Sequence, residues 1–383
     1  MDCALDESDA RALGLVGAFV NVREHNSVPC FYSCKISTVC SDYPFTVSLS
    51  RRGNDWGPYK AFFVKLAVNF LRAIRILVAC PTLSQFSFGD MAYWETETSV
   101  PSRSENLLSE VFTLLRSSPS LSCFHFINSG TKHNASLYCS HLQALVCENP
   151  RLETLTVSAD GHIFAVVAKA IAVCLSRNTV LKSFTLRIPT LFFDQEEQSL
   201  EILLRPFTSS SPSEANASLK ELALYLQYPD GYNCVDVIAN LVSRNTTLKK
   251  LDLCFPRNLY SSRGLRALAF ALQSNTTLKH VQCIYGLDGY GNYTRDDAKY
   301  ITDKNSRQVE FQIQEILRTM IDNELRVNTS LESFVVGHWT LLRVGTEWQT
   351  SYRGPCLREQ TSLEYNVKVK MFCFFLSCAG MRT

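Results

Sequence analysis

The sequence predicts an α/β solenoid, in which short parallel strands and helices alternate along a stack of similar units. Two observations predict it: a motif that recurs about every thirty residues, and a helical pattern of apolar residues before most copies of that motif. The chain has 383 residues, of which 46% are hydrophobic and 19% are charged. It therefore has enough apolar side chains for a large buried core, which excludes a largely disordered chain.

The motif consists of an Asn or Pro, an aliphatic residue, and apolar residues three and five places after the aliphatic residue. It reads PSLSCFHF from Pro119, NASLKELAL from Asn216 and NTTLKKLDL from Asn245. We call the aliphatic residue the anchor leucine; the eight anchors are Leu83, Leu121, Leu152, Leu181, Leu219, Leu248, Leu278 and Leu331. Four of the seven spacings between consecutive anchors fall within 29 to 31 residues, which indicates a true repeat with insertions in its loops.

Each anchor is followed by a period-two pattern that is typical of a strand, and helices are predicted before most anchors. Apolar residues recur every three or four places over residues 107–115, 163–175, 265–272 and 313–321. We expect the Asn or Pro after each helix to end it. Asn tolerates the left-handed C-cap conformation, and Pro cannot continue a helix.

These motifs resemble the ribonuclease-inhibitor type of leucine-rich repeat, most clearly in NTTLKKLDL and NTTLKHVQC. The resemblance covers roughly residues 58–340. It implies a horseshoe with parallel strands on the concave face and helices on the convex face, used as a binding scaffold. The family places an Asn eight residues after the anchor, and this sequence has none at that position. We therefore expect no asparagine ladder, and an irregular turn after each strand.

The repeat defines three segments of the chain. Residues 1–57 are predicted to be an N-terminal cap or degenerate repeat, residues 58–340 the solenoid, and residues 341–383 a C-terminal cap. A polar loop over residues 284–306 is expected to account for the 53 residues between the last two anchors.

Charge and hydropathy exclude several function classes. The 38 basic and 36 acidic residues give a net charge of +2, which favours neither a nucleic-acid partner nor a membrane partner. No apolar run reaches the length of about 18 residues that spans a bilayer. The N-terminus lacks the basic lead of a signal peptide, so we predict a cytoplasmic protein whose 15 Cys are free thiols.

The strand starts carry the candidate binding residues. Lys182, Lys220, Lys249 and Lys279 directly follow four successive anchors, and Lys250 and His280 come one place later. We predict that these six residues bind a protein partner with an acidic surface, from the rim of the concave face. The alternative is that Lys is the common solvated residue at this position of the repeat.

No catalytic or metal site is predicted. One group of Cys and His residues has side chains that suit zinc; it consists of Cys123, His125, His133, Cys139, His141 and Cys147. The group lacks the paired CxxC spacing of a zinc site, and we expect Cys147 to lie on the inward side of its helix. Neither a P-loop nor a GxSxG motif occurs, so no cofactor is expected. We interpret the glycosylation sequons as coincidental; they lie at Asn134, Asn216, Asn245, Asn275, Asn292 and Asn328.

The sequence therefore predicts a non-catalytic protein–protein interaction scaffold rather than an enzyme. Two alternatives rest on resemblance alone: a GTPase-activating protein of the Ran activator type, and the substrate-recognition subunit of a ubiquitin ligase. The former needs a positioned Arg and an acidic flank, neither of which can be assigned. The oligomeric state is left open.

Overall fold

The structure is a computed structural model that divides the chain into two compact units, Met1–Pro229 and Asp230–Thr383. It describes residues 32–37, 46–51, 75, 85–89, 101–128, 132–159, 161–188, 196–209, 211, 215–226, 234–254, 262–284 and 304–352. Each unit contains its own run of strands and helices.

The first unit is an almost wholly parallel sheet with helices between its strands. The strands are β1 (Tyr32–Ser37), β2 (Thr46–Arg51), β3 (Gln85–Gly89), β4 (Cys123–Asn128), β5 (Thr154–Ala159), β6 (Ser183–Ile188) and β7 (Glu221–Leu226). The helices are α1 (Pro101–Ser117), α2 (Lys132–Glu148), α3 (Phe164–Arg177) and α4 (Glu196–Thr208), with a short 3-10 turn at Gly161–Ile163. The pair β1–β2 is antiparallel, and β2 through β7 pair in parallel and in chain order.

The second unit has the same alternation, and its described part ends in a hairpin. Its strands are β8 (Lys250–Cys254), β9 (His280–Ile284), β10 (Ser333–Val336), β11 (Trp339–Val344) and β12 (Glu347–Tyr352). Its helices are α5 (Val235–Arg244), α6 (Ser262–Ser274), α7 (Lys304–Asp322) and α8 (Glu324–Val327). The pairs β8–β9 and β9–β10 are parallel, whereas β10–β11 and β11–β12 are antiparallel.

The predicted α/β class, with mostly parallel strands and intervening helices, is confirmed, and so are the four helical segments. The horseshoe and the domain boundaries after residues 57 and 340 stay predictions. The predicted loop over 284–306 is wrong at both ends, because Ile284 lies in β9 and residues 304–306 lie in α7; residues 285–303 lie outside the described residues, as do 353–383.

Alternation along the strands separates the core from the opposite face. In β5, Leu155 and Val157 are fully buried, while the three polar residues beside them are partly exposed. The anchors Leu121 through Leu331 are all buried. In the first unit Phe124 of β4 stacks on Phe86 of β3 and on Phe126, and Phe112 of α1 meets Phe124 and Phe126 edge-on. The helices thus cover the apolar face of the strands.

A buried asparagine lies three places before each of six anchors. These are Asn149, Asn178 and Asn216 in the first unit and Asn245, Asn275 and Asn328 in the second. The backbone φ angles of Asn178, Asn245 and Asn328 are −81°, −75° and −72°, which are ordinary extended values. The expected left-handed C-cap is therefore wrong, and the side-chain amide explains the residue type instead.

Asn275 shows what the amide does. Its Oδ1 accepts hydrogen bonds from the backbone N–H groups of Thr277, at 2.9 Å, and Leu278, at 2.7 Å. Its Nδ2 donates to the carbonyl oxygens of Val242, at 2.7 Å, and Asn245, at 2.9 Å. One side chain thus closes the turn between a helix and the next strand and also bonds that turn to the preceding repeat. We call this set of buried amides the Asn ladder.

The expectation of no asparagine ladder holds only for the family's position eight residues after the anchor, where the sequence has no Asn; it missed the ladder that the structure shows at another position. The ladder lies at the junction of helix and strand, before the anchor, rather than eight residues after it. Four predicted sequons, those at Asn216, Asn245, Asn275 and Asn328, are rungs of the ladder and are buried, which leaves no access for a glycan. The side chains of Asn134 and Asn292 lie outside the described residues.

The terminal hairpin completes the ladder in the second unit. By analogy with Asn275, a further rung would donate to the carbonyl oxygens of Leu325 and Asn328. Trp348 donates its indole N–H to Leu325 at 3.3 Å, and the Arg343 guanidinium donates to Asn328. The guanidinium also lies over the Trp348 ring, with Cζ 5.7 Å from its centroid. Two side chains of β11 and β12 therefore take the place of a further amide at the last described repeat.

Replacing Asn275 by Ala should lower the free energy of unfolding by about 3 kcal/mol, because buried N–H and C=O groups lose their partners. Asn275→Asp should destabilise the protein at least as much, since its oxygens would face two carbonyls. Urea unfolding measures both changes.

The matched control is Asn240→Ala, which makes the same substitution at an exposed position of α5 and should change the free energy by no more than about 0.5 kcal/mol. Equal effects of the two Ala substitutions would contradict the role of the Asn ladder.

Candidate interaction surface

The face of the sheet opposite the core carries the candidate site. In the first unit it is formed by residues two, four and six places after each anchor. We call the partly or fully exposed side chains of this set on β4–β7 the open face; they are Cys123, His125, Thr154, Thr156, Ser158, Ser183, Thr185, Arg187, Glu221, Ala223 and Tyr225. Strand pleating places them on one side, since successive residues alternate between faces.

Short hydroxyl side chains fill the centre of the open face. β5 contributes Thr154, Thr156 and Ser158, and β6 contributes Ser183 and Thr185. Thr156 lies in register with Thr185, and Thr154 with Ser183. These side chains can donate and accept hydrogen bonds while projecting little from the sheet. The centre of the open face is therefore a low polar surface.

Two large side chains stand beside this polar centre. Arg187 on β6 is in register with Tyr225 on β7, and its guanidinium carbon lies 5.2 Å from the centroid of the tyrosine ring. This is the geometry of a cation–π contact. Both residues are partly exposed. The guanidinium thus lies over the tyrosine ring on the open face.

Burial and the positive charge of Arg187 both affect the pKa of His125 on β4. Burial is the larger cause that lowers the pKa of His125 below its usual value, and the positive charge of Arg187 lowers it further. Both causes favour the neutral imidazole at neutral pH. The open face therefore combines a permanent cation with a neutral imidazole and several hydroxyls.

The predicted basic residues of the first unit lie at the strand starts and are exposed. Lys182 forms an ion pair with Glu153, which directly follows the preceding anchor. Lys220 donates to the backbone carbonyl of Ala217 at 3.4 Å. The charge of Lys182 is thus largely compensated within the protein.

The second unit repeats this compensation. Lys279 pairs with Glu332 at 2.6 Å, and Lys250 pairs with Asp252 at 2.9 Å. The hydrogen bond from Lys279 is the first cause that lowers the pKa of Glu332. His280 also lies near Glu332, with Nε2 3.7 Å from the carboxylate, and its Nδ1 is 2.9 Å from the Ser333 hydroxyl.

Lys182, Lys220, Lys249 and Lys279 therefore lie at equivalent positions of their repeats, and two of them, Lys182 and Lys279, are paired with a carboxylate. Glu153 and Glu332 occupy the same repeat position as the lysines, so the pairing could have been read from the aligned repeats. The pair Arg187 and Tyr225 was missed, although both residues lie six places after their anchors. The pairing of these two side chains can be recognised only when the register of β6 and β7 is known.

The Cys and His residues considered for zinc are divided between two elements. Cys123 and His125 lie on β4, whereas Cys139, His141 and Cys147 lie on α2; the side chain of His133 lies outside the described residues. His141 stacks on Phe112 with centroids 5.6 Å apart. Within the part of the chain that the structure describes, no three His, Cys, Asp or Glu side chains are grouped to hold a metal.

The predicted position of Cys147 is wrong. It is exposed in the last turn of α2, whereas Cys139, two turns earlier, is buried. Across the described ranges, no helix is both long and apolar enough to cross a bilayer.

Comparisons with known proteins give only weak structural similarity. No protein-family model matches the chain, and no curated protein matches it. The chain is similar to a structure of leiomodin-1 actin-binding site 2, with a TM-score of 0.27 and 18% identity over 54% of this chain and 86% of that one. It is also similar to a GH2 β-galacturonidase from Eisenbergiella tayi, with a TM-score of 0.20 and 10% identity over 49% of this chain and 40% of that one. Scores this low carry no argument about function.

Charge removal on the open face should be visible in histidine titrations. Arg187→Ala should raise the pKa of His125, only part of the way to its usual value because burial remains. The pKa is measured from the imidazole NMR shifts as a function of pH.

The control for this titration is Arg116→Ala. Burial is the larger cause that lowers the pKa of His141, and the charge of Arg116 lowers it further. This variant should therefore raise the pKa of His141 and leave that of His125 unchanged. If Arg187→Ala leaves His125 unchanged, the two side chains do not share the open face.

Proposed function

We propose that the protein is a non-catalytic binding module of the leucine-rich repeat type, which holds a partner protein on the open face of β4–β7. The observation that supports this most is the Arg187–Tyr225 pair, held beside a centre of short hydroxyl side chains. Within this proposal the protein needs no cofactor or metal and acts in the cytoplasm.

The chemistry of the pair suits an interface anchor. Arg and Tyr are among the residues that dominate binding energies, because each contributes a large contact area together with directional hydrogen bonds. The contact with Tyr225 restricts the rotamers of Arg187 before binding, which reduces the entropy lost in the complex. The low polar centre leaves space for a projecting segment of the partner.

Charge complementarity indicates an acidic group on the partner. A carboxylate can form two parallel hydrogen bonds with the guanidinium of Arg187, and the hydroxyls of Thr185 and Ser158 lie next to it on the sheet. A neutral His125 imidazole adds a further donor without adding charge.

The predicted basic residues take a secondary role in this proposal. A partner carboxylate that binds Lys182 or Lys279 must replace Glu153 or Glu332. Exposed pairs of this kind contribute about 0–1 kcal/mol, so exchange of one carboxylate for another gains little. Lys182, Lys220, Lys249, Lys250, Lys279 and His280 are therefore expected to affect the association rate more than the affinity.

The test compares three baits of the full chain: the wild type, the double variant Arg187→Ala/Tyr225→Ala, and Lys169→Ala. Lys169 is exposed on α3, on the helical side of the repeats. Proteins captured by the wild type and the Lys169 variant but not by the double variant are purified and titrated directly. We expect the double variant to bind at least about thirty-fold more weakly, equivalent to about 2 kcal/mol.

Equal affinity of the double variant and the wild type would overturn the assignment of the open face. A fourth bait, Lys182→Glu/Lys220→Glu, separates the two surfaces of the first unit. If it abolishes binding while the double variant does not, the strand starts rather than the open face hold the partner.

A further inference from the structure

A pair of cysteine side chains joins two consecutive helices of the first unit. Cys147 lies in the last turn of α2 and is exposed, whereas Cys174 lies in α3 and is buried. Their side chains are hydrogen bonded to each other. The pair is therefore already in contact, with one sulfur open to solvent and the other sheltered behind it.

The two thiols differ in acidity. The hydrogen bond from Cys174 is the first cause that lowers the pKa of Cys147 to about 7, and the charge of Arg177 acts in the same direction, against burial and Glu148. The same contact and burial raise the pKa of Cys174 well above its usual value. Cys139, the other nearby thiol of α2, is buried, and its pKa is raised to about 12. Near neutral pH the thiolate therefore resides on Cys147, with Cys174 as the S–H donor.

We propose that Cys147 and Cys174 are a redox modification site, which a hydroperoxide converts reversibly into a disulfide between α2 and α3. This inference does not depend on the binding function proposed above. It rests on the contact between the two sulfurs and on their unequal exposure, which assigns them different roles.

The exposed sulfur reacts first. The Cys147 thiolate attacks one oxygen of hydrogen peroxide, the O–O bond breaks, and Cys147 becomes a sulfenic acid while hydroxide leaves. The Cys174 sulfur then attacks the sulfenic sulfur, the S–O bond breaks, and water leaves with the proton of Cys174. Two thiol sulfurs lose two electrons in total, and the peroxide gains them. A small thiol reverses the reaction by exchange.

The disulfide would cross a rung of the Asn ladder. Asn178 donates its side-chain amide to the carbonyl of Val146, next to Cys147, and its backbone N–H donates to the carbonyl of Cys174 at 2.9 Å. A covalent bond here would tie the ends of two successive helices at the joint that the amide already holds. Oxidation should therefore raise the melting temperature of the full chain.

The experiment treats the reduced full-length protein with hydrogen peroxide near neutral pH, blocks the remaining thiols and digests with trypsin. The product should be a linked pair of peptides, residues 133–151 with residues 170–177, that a reductant separates. Because the longer peptide holds both Cys139 and Cys147, variants identify the sulfur. Cys139→Ser should retain the linked pair and Cys147→Ser should abolish it.

A second readout does not require the disulfide. Cys174→Ala removes the hydrogen bond to Cys147, so it should raise the pKa of Cys147 and slow its alkylation by iodoacetamide at pH 7 several-fold. In the presence of peroxide, Cys147 of this variant should be oxidised to sulfinic acid, because no second thiol is available to form the disulfide. If the alanine substitution reduces folding, Cys174→Ser serves as a second variant for the sulfinic-acid readout, because it lacks the resolving thiol although its hydroxyl can still donate to Cys147.

Three results would overturn the proposal. One is a wild-type protein in which peroxide yields sulfinic acid at Cys147 and no linked peptides. Another is a linked pair that persists in Cys147→Ser, which would assign the bond to Cys139. The third is a rate of alkylation of Cys147 that is the same with and without Cys174.

Discussion

Backbone groups at the joint between each helix and the next strand are buried, and they need hydrogen-bond partners before the repeats can stack. The last turn of a helix leaves carbonyls without intrahelical partners, and the first residues of the strand bring N–H groups to the same place. In water these groups would be solvated, but here they lie inside the stack. A single Asn serves both sides of the joint, accepting from its own turn and donating to the repeat before it.

This constraint explains why the residue type recurs while other positions vary. Asp would offer acceptors only, and Ala neither donor nor acceptor, so only an amide of this length meets both needs. In the last described repeat, Arg343 and Trp348 provide the donors instead of an Asn. Their N–H groups donate to the carbonyls of Asn328 and Leu325, which are equivalent to the two carbonyls that Asn275 bonds. The strand hairpin that carries them is antiparallel to β10, and so ends the parallel series at the point where the ladder is completed.

Because the ladder and the helices stabilise the buried side of the sheet, the other side is free to vary in sequence. That division separates what the sequence alone could predict from what it could not. Period-two alternation after each anchor and helical periodicity before it predicted the elements, since both depend on local spacing. The function of Asn275 was misread because one helix end is compatible with either a cap or a ladder until the preceding repeat is in place. Arg187 and Tyr225 needed the strand register, and Cys147 and Cys174 needed the rotation of two helices about their axes.

The central claim is that the buried amides hold each joint closed as firmly as the sheet itself. Native-state hydrogen exchange of the second unit measures this directly at the backbone N–H groups of Leu278 and Leu331, which donate to Asn275 and Asn328 at 2.7 Å. We predict that both exchange as slowly as the N–H groups of Val281 and Phe334 in the adjoining strands, since all would require unfolding of the unit. Exchange at the rate of an open turn, while the strands stay protected, would contradict the account.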